Sequence, residues 1–166
     1  MKTIFLCGFM GCGKSTVGRR LAALMGCSFT DMDTYIEETE GMSIPDIFAQ
    51  KGEPYFRDCE SKAISELGAE GGVIACGGGA MLREENSAAA KRFGEVIFID
   101  VPFETCYERI AGDENRPIVM SSTKESLEDR YNGRIPVYRK HSTVTVPGGG
   151  SPEEIARLCA EIASAR

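Results

Sequence analysis

The sequence predicts an α/β fold with a central parallel sheet of about five strands and helices on both faces. Three observations lead there. Short apolar runs alternate with helical patterns from one end of the chain to the other. The first run, Ile4-Phe5-Leu6-Cys7, opens into a glycine-rich loop that leads straight into an amphipathic helix. Two later runs end on glycine triplets, Gly77–Gly79 and Gly148–Gly150, as strands do where the chain must turn sharply at their carboxyl ends. With 166 residues, the chain suits a single domain over 1–166, large enough to bury a core of its own.

The elements follow in order. After the first loop, Val17, Leu21, Leu24 and Met25 give a helix its apolar face, and Gly26 closes it. A short strand, Ser28-Phe29-Thr30, delivers Asp31-Met32-Asp33. Read as an extended strand end, residues two apart point the same way, so both carboxylates face one side. Either aspartate also suits the cap of the next helix, 34–40. Gly41 and Gly52 bound a helix that starts at Ser43 and carries Ile44, Ile47 and Phe48. The next helix opens at Glu53 and ends at Gly68, with Glu53, Arg57 and Glu60 on one face; by spacing alone Arg57 is a solvated ion-pair partner.

The strand 72–76 runs into Gly77-Gly78-Gly79, which serves either a tight turn or a close approach of ligand to backbone. A polar helix over 83–93 leads to the strand 95–100, whose terminal Asp100 rivals Asp31 as the carboxylate that serves a metal ion. The helix 103–111 buries Phe103, Cys106, Tyr107 and Ile110. Residues 112–122 read as a short lid carrying Arg116. Ser122 with Glu125 forms a capping box for the helix that follows, and a basic segment from Arg134 to His141 places the only histidine at the surface or a strand edge. The strand 143–146 and a helix capped by Ser151, Pro152 and Glu154 complete the chain.

Composition removes several classes of function. The formal net charge is −6 and no Lys/Arg stripe forms, which argues against a nucleic-acid surface. No apolar run approaches membrane-spanning length, and Met1-Lys2 leaves no room for a signal peptide before the first strand. The seven cysteines include no C-x-x-C pair and read as reduced thiols of a cytoplasmic protein. Cys12, in the first loop, is the one placed where a thiol could be activated, although a small side chain that simply fits is the plainer account.

That loop, Gly8-Phe9-Met10-Gly11-Cys12-Gly13-Lys14-Ser15-Thr16, matches the phosphate-binding pattern G-x-x-x-x-G-K-[ST], in the strand–loop–helix context the pattern requires. Its glycines allow successive N–H groups to converge on phosphate, and the helix that follows adds its positive end. Lys14 can reach the β- and γ-phosphates and the Ser15 hydroxyl can ligate Mg²⁺, so the chain is expected to bind a nucleoside triphosphate. No N-K-x-D or D-x-x-G motif supports a guanine-nucleotide switch.

Six motifs in series give the chain a closer likeness. They are Gly8–Thr16, Asp31-x-Asp33, Phe56-Arg57-x-x-Glu60, Gly77-Gly78-Gly79, Arg116-Pro117 and Arg134-x-Pro136-Val137-Tyr138. In this order and spacing the chain resembles shikimate kinases over nearly its whole length. The resemblance implies a three-layer α/β/α P-loop kinase, monomeric, that moves the γ-phosphate of ATP to the 3-hydroxyl of shikimate with Mg²⁺. It implies that Gly11, Cys12, Gly13, Lys14, Ser15 and Thr16 hold the nucleotide, with Arg109 and the 148–152 loop flanking adenine. It further implies that Ser15 and Asp31 serve the metal, leaving Asp100 a strand-end residue, and that Lys14, Asp33 and Arg116 are the catalytic set. Asp33, Arg57, Gly78, Gly79 and Arg134 would take shikimate, with Glu60 orienting Arg57. Planar guanidinium forks suit a carboxylate acceptor. Two local departures stand out: Arg-Pro-Ile-Val in the lid, and Arg-Lys-His after Tyr138.

Overall fold

The structure is a computed structural model that describes residues 1–111, 119 and 122–166. Five strands, β1 (Thr3–Cys7), β2 (Phe29–Asp31), β3 (Val73–Ala75), β4 (Gly94–Asp100) and β5 (Val144–Pro147), form one sheet in the order β2-β3-β1-β4-β5. All four pairings are parallel. β1 lies at the centre, where Leu6 is register partner to Ala75 on one side and Ile97 on the other. Its residues, and Val96 to Ile99 of β4, are fully buried, because both faces of a parallel sheet are covered and an unbroken apolar run is what such a strand needs.

Eight α-helices are described: α1 (Lys14–Met25), α2 (Met32–Glu40), α3 (Ile44–Lys51), α4 (Glu53–Glu70), α5 (Glu84–Phe93), α6 (Phe103–Ile110), α7 (Lys124–His141) and α8 (Pro152–Ala165), with a single 3₁₀ turn at Ala80–Leu82. α1 packs on α8 and β3, while α4, α5 and α7 pack together and α5 lies on β4, which gives the layered architecture the sequence predicts. The ends of these helices follow their cap residues. Gly26 takes the left-handed conformation at φ 64° after α1, Ser43 caps α3, and Ser151 and Glu154 form a reciprocal capping box on α8.

Several boundaries differ from expectation, each for a local reason. α2 begins at Met32, so Asp33 stands on its first turn and not on an extended strand end. α4 runs past Gly68, whose missing side chain leaves room for the Phe93 ring. α7 is one continuous helix through Pro136, capped by Thr123 and not by Ser122. Pro136 is exposed, so its ring meets solvent rather than a neighbouring element. His141 therefore ends a helix and is buried, 7% exposed, instead of lying on the surface. Leu24 is exposed, leaving Val17 and Leu21 as the buried apolar face of α1. All seven cysteines are free thiols, and burial pushes those of Cys7 and Cys106 up to about 12, which makes them poor nucleophiles. No helix among the described residues is long and apolar enough to cross a membrane.

Candidate active site

The loop after β1 is built from backbone that only glycine takes without strain. Gly11 and Gly13 have φ of 81° and 91°, and a Cβ on Gly11 would come within 2.8 Å of the Cys106 carbonyl oxygen and Ile110. Gly13 is the N-cap of α1 and no side chain caps that end, so its first N–H groups point into the loop, where an anion is best received. Lys14 Nζ donates to the carbonyls of Gly8 at 2.8 Å and Phe9 at 3.3 Å, which lays the ammonium across the loop. Cys12 is buried beneath it, its Sγ 3.8 Å from Lys14 Nζ.

Across the cleft the Ser15 hydroxyl donates to Asp31 Oδ2 at 2.9 Å. The other oxygen of Asp31 accepts from the Thr34 N–H at 3.2 Å and caps α2. The cap is thus made by one oxygen, while the other faces the Ser15 hydroxyl. The pair offers hard oxygen donors of the kind Mg²⁺ prefers, and among the described residues no cluster of three or more His, Cys, Asp or Glu offers a fuller cage. Asp100, the rival carboxylate, is paired with Arg139 at 2.8 Å.

The glycine triplet after β3 has ordinary backbone; none of its three residues has positive φ. Its reason is proximity. A Cβ on Gly77 would stand 2.6 Å from Asp33 Oδ1, one on Gly78 3.4 Å from Arg134 Nη1, and one on Gly79 would run into the Arg57 guanidinium. Each glycine thus admits one charged side chain, from α2, α7 and α4 in turn. Arg57 is held from two sides, by Glu60 at 2.6 Å and Glu53 at 3.2 Å.

Asp33 Oδ1 is buried and has no hydrogen-bond partner among the described residues. Burial raises the Asp33 pKa, Asp31 adds to the rise, and Lys14 and Arg57 oppose it. A desolvated carboxylate oxygen without a donor is well made to accept a hydroxyl proton or hydrogen bond.

These parts enclose an open cleft of about 350 Å³ lined by Lys14, Ser15, Asp31, Asp33, Gly77 and Gly78. Arg57, Gly79 and Arg134 do not line it directly and reach it at the glycine triplet. A neighbouring hollow of about 240 Å³ joins Thr16, Arg109, Gly150 and Pro152, which unites Arg109 with the 148–152 loop as expected. Arg109 is tied to the phosphate loop by a bond from Nη1 to the Gly11 carbonyl at 3.0 Å. The expected lid and Arg116 lie outside the described residues, apart from Val119 and Ser122. Sequence reasoning missed two contacts here, from Tyr138 to the triplet at Gly78 and from His141 to Met81 in the turn that follows it. An i, i+4, i+7 spacing with Arg134 would have revealed them had Pro136 not suggested a break.

Comparison with known proteins agrees with this geometry. The family model described as Shikimate kinase matches residues 10–163. The shikimate kinase of Persephonella marina is 42% identical over 156 residues, 93% of this chain and 94% of that protein. The structure of shikimate kinase from Acinetobacter baumannii in complex with shikimate superposes with a TM-score of 0.91 at 34% identity, covering 99% of this chain and 94% of the other. A gluconokinase from Sinorhizobium meliloti, 17% identical, superposes with a TM-score of 0.59 over 99% of this chain and 94% of its own, a likeness of fold alone.

Proposed function

The chain belongs to the shikimate kinase family, and from that premise we infer how its own residues carry out the transfer. It is an ATP-dependent phosphotransferase that passes the γ-phosphate of ATP to the 3-hydroxyl of shikimate, giving shikimate 3-phosphate and ADP in the route to aromatic amino acids. The whole of 1–166 acts as one domain. The observation that carries the assignment of roles is the glycine triplet, which brings Asp33, Arg134 and Arg57 together beside the phosphate loop.

Arg57 and Arg134 take the shikimate carboxylate, a planar anion that matches their planar forks, and Gly78 and Gly79 let it lie close to backbone. Asp33 accepts from a ring hydroxyl and holds the attacking oxygen toward the γ-phosphate. Its raised pKa makes it a stronger base than a solvated aspartate, although phosphoryl transfer asks more for alignment than for full proton removal. Gly11, Cys12, Gly13, Ser15 and Thr16 cradle the phosphates, and Arg109 with the 148–152 loop borders adenine. Lys14, joined by Arg116, stabilises charge on the transferring group. Ser15 and Asp31 would hold Mg²⁺, Ser15 directly and Asp31 indirectly, and the ion would supply positive charge to offset that of the phosphates. The lid expected over 112–122 would serve to exclude water from the transfer.

The enzyme acts as a monomer in the cytoplasm, without nucleic-acid or membrane partners. The net charge of −6 and the lack of a basic stripe support this reading. The direct test is ADP release with Mg²⁺-ATP against a panel of shikimate, gluconate, AMP and no acceptor. Release should depend on shikimate, and equal turnover with and without it would overturn the function.

A further inference from the structure

Arg134, Tyr138 and His141 stand at i, i+4 and i+7 on α7 and so share one helical face. That face meets the segment from Gly78 to Leu82, which carries two of the residues assigned to shikimate. Tyr138 is completely buried and its hydroxyl donates to the Gly78 carbonyl at 2.5 Å. One turn on, His141 places Nδ1 2.7 Å from the Met81 carbonyl. A carbonyl oxygen only accepts, so Nδ1 must carry the proton. The same segment is also tied to α5, where Asn86 Nδ2 donates to the Ala80 carbonyl at 2.9 Å, and α5 is tied to α7 in turn by Ser87 Oγ, which donates to the His141 carbonyl at 2.7 Å.

The consequence is geometric. The triplet has no side chains of its own to hold it in place, yet its value lies in tight approaches to three charged groups. The turn that follows holds the Gly77 and Gly79 carbonyls, and α7, the helix that presents Arg134, anchors the triplet at Gly78 and that turn at Met81. A displacement of an ångström would loosen all three approaches together, which is enough to weaken a well-oriented site severely.

We propose that Tyr138 and His141 are positioning residues for the acceptor: their bonds to the Gly78 and Met81 carbonyls fix the triplet against α7 and so set how closely Arg57, Arg134 and Asp33 converge. Neither touches a substrate. The proposal rests on the assignment of those groups to shikimate made above.

Tyr138→Phe removes one oxygen and keeps the packed ring. It should raise KM for shikimate about tenfold while KM for ATP stays within about twofold, the signature of one lost interaction on one substrate's side. His141→Leu should raise KM for shikimate about fivefold on the same argument. His141→Asn, whose amide N–H can replace the Nδ1 donor, should restore most of that loss, whereas a purely structural role would move both KM values or neither. Unchanged KM for shikimate in Tyr138→Phe and His141→Leu would overturn the proposal, as would an equal rise for both substrates or an Asn variant no better than Leu. A parent enzyme indifferent to shikimate would overturn the acceptor assignment itself, and is read from the same assays before any variant is compared.

Discussion

Glu60 lies one turn beyond Arg57 on α4 and accepts from its Nη1 at 2.6 Å, with 1% of the Glu60 side chain exposed against 25% for Arg57. Burial pushes Glu60 above the ordinary carboxylate range while Arg57 pulls it back. The ionised carboxylate is therefore less favourable in the folded chain than in the unfolded one, and the pair is better understood as an aiming device than as a source of stability. Glu60→Gln should accordingly leave the melting temperature within a few degrees of the parent, yet raise KM for shikimate about tenfold at unchanged KM for ATP. Thermal denaturation and initial-rate kinetics on one preparation check both halves.

Asp33 carries a pH prediction with two signs. Burial and Asp31 raise its folded pKa above the unfolded value, so the stability linked to this group is complete in acid and is lost as pH rises through the folded pKa. Asp33→Asn should thus melt higher than the parent at neutral pH, with the gap closing as the medium is made acidic. Activity goes the other way: kcat should fall by at least about a hundredfold. In the parent, kcat/KM for shikimate should decline in acid at a pH above the ordinary range for aspartate.

Gly79 has φ −98°, a conformation open to any residue, so Gly79→Ala brings no backbone strain. The atoms nearest to the new methyl belong to the Arg57 guanidinium, the end of a flexible side chain. KM for shikimate should rise about tenfold or more while nucleotide binding, measured by calorimetry, is unchanged. Gly13→Ala supplies the contrast. At φ 91° it strains the phosphate loop, and there nucleotide binding should weaken first.

Asp31→Asn separates the helix cap that Asp31 makes from the metal role proposed for it. Asparagine caps a helix as well as aspartate does, so α2 and the melting temperature should be preserved. The lost negative charge falls on the side facing Ser15, and the Mg²⁺ concentration for half-maximal rate should rise about tenfold. A magnesium titration at saturating ATP and shikimate reads it.

Much of this was legible in the residues themselves. Strand–loop–helix periodicity and the Gly-x-x-x-x-Gly-Lys-Ser spacing are local, and they placed β1, the phosphate loop and α1 within a residue or so. The caps at Ser43 and Ser151 were readable for the same reason, since a cap is settled by neighbours in sequence. Arg57 was not legible on spacing alone: an arginine flanked by Glu53 and Glu60 looks like any solvated pair until Gly79 is brought up to it from another element. The Asp31–Asp33 pair faces one cleft, but because α2 starts at Met32, not because both sit on an extended end. Pro136 hid the continuity of α7, and with it the buried place of His141; a proline weakens a helix locally, whereas packing on both sides of it decides whether the helix survives.

The register of β1 against β3 pairs Leu6 with Ala75, and two residues beyond that last pair, just past the end of each strand, stand Gly8 and Gly77. The phosphate loop and the glycine triplet proposed to receive the acceptor therefore leave neighbouring strands at the same level, strands that lie about 4.8 Å apart. On the proposed roles, the spacing of the two loops is set by main-chain hydrogen bonds, which drift little as side chains are exchanged. A descendant of this chain can trade one small acid for another by altering α2, α4 or α7. The reach of the transfer it inherits unchanged, because the sheet serves as its ruler.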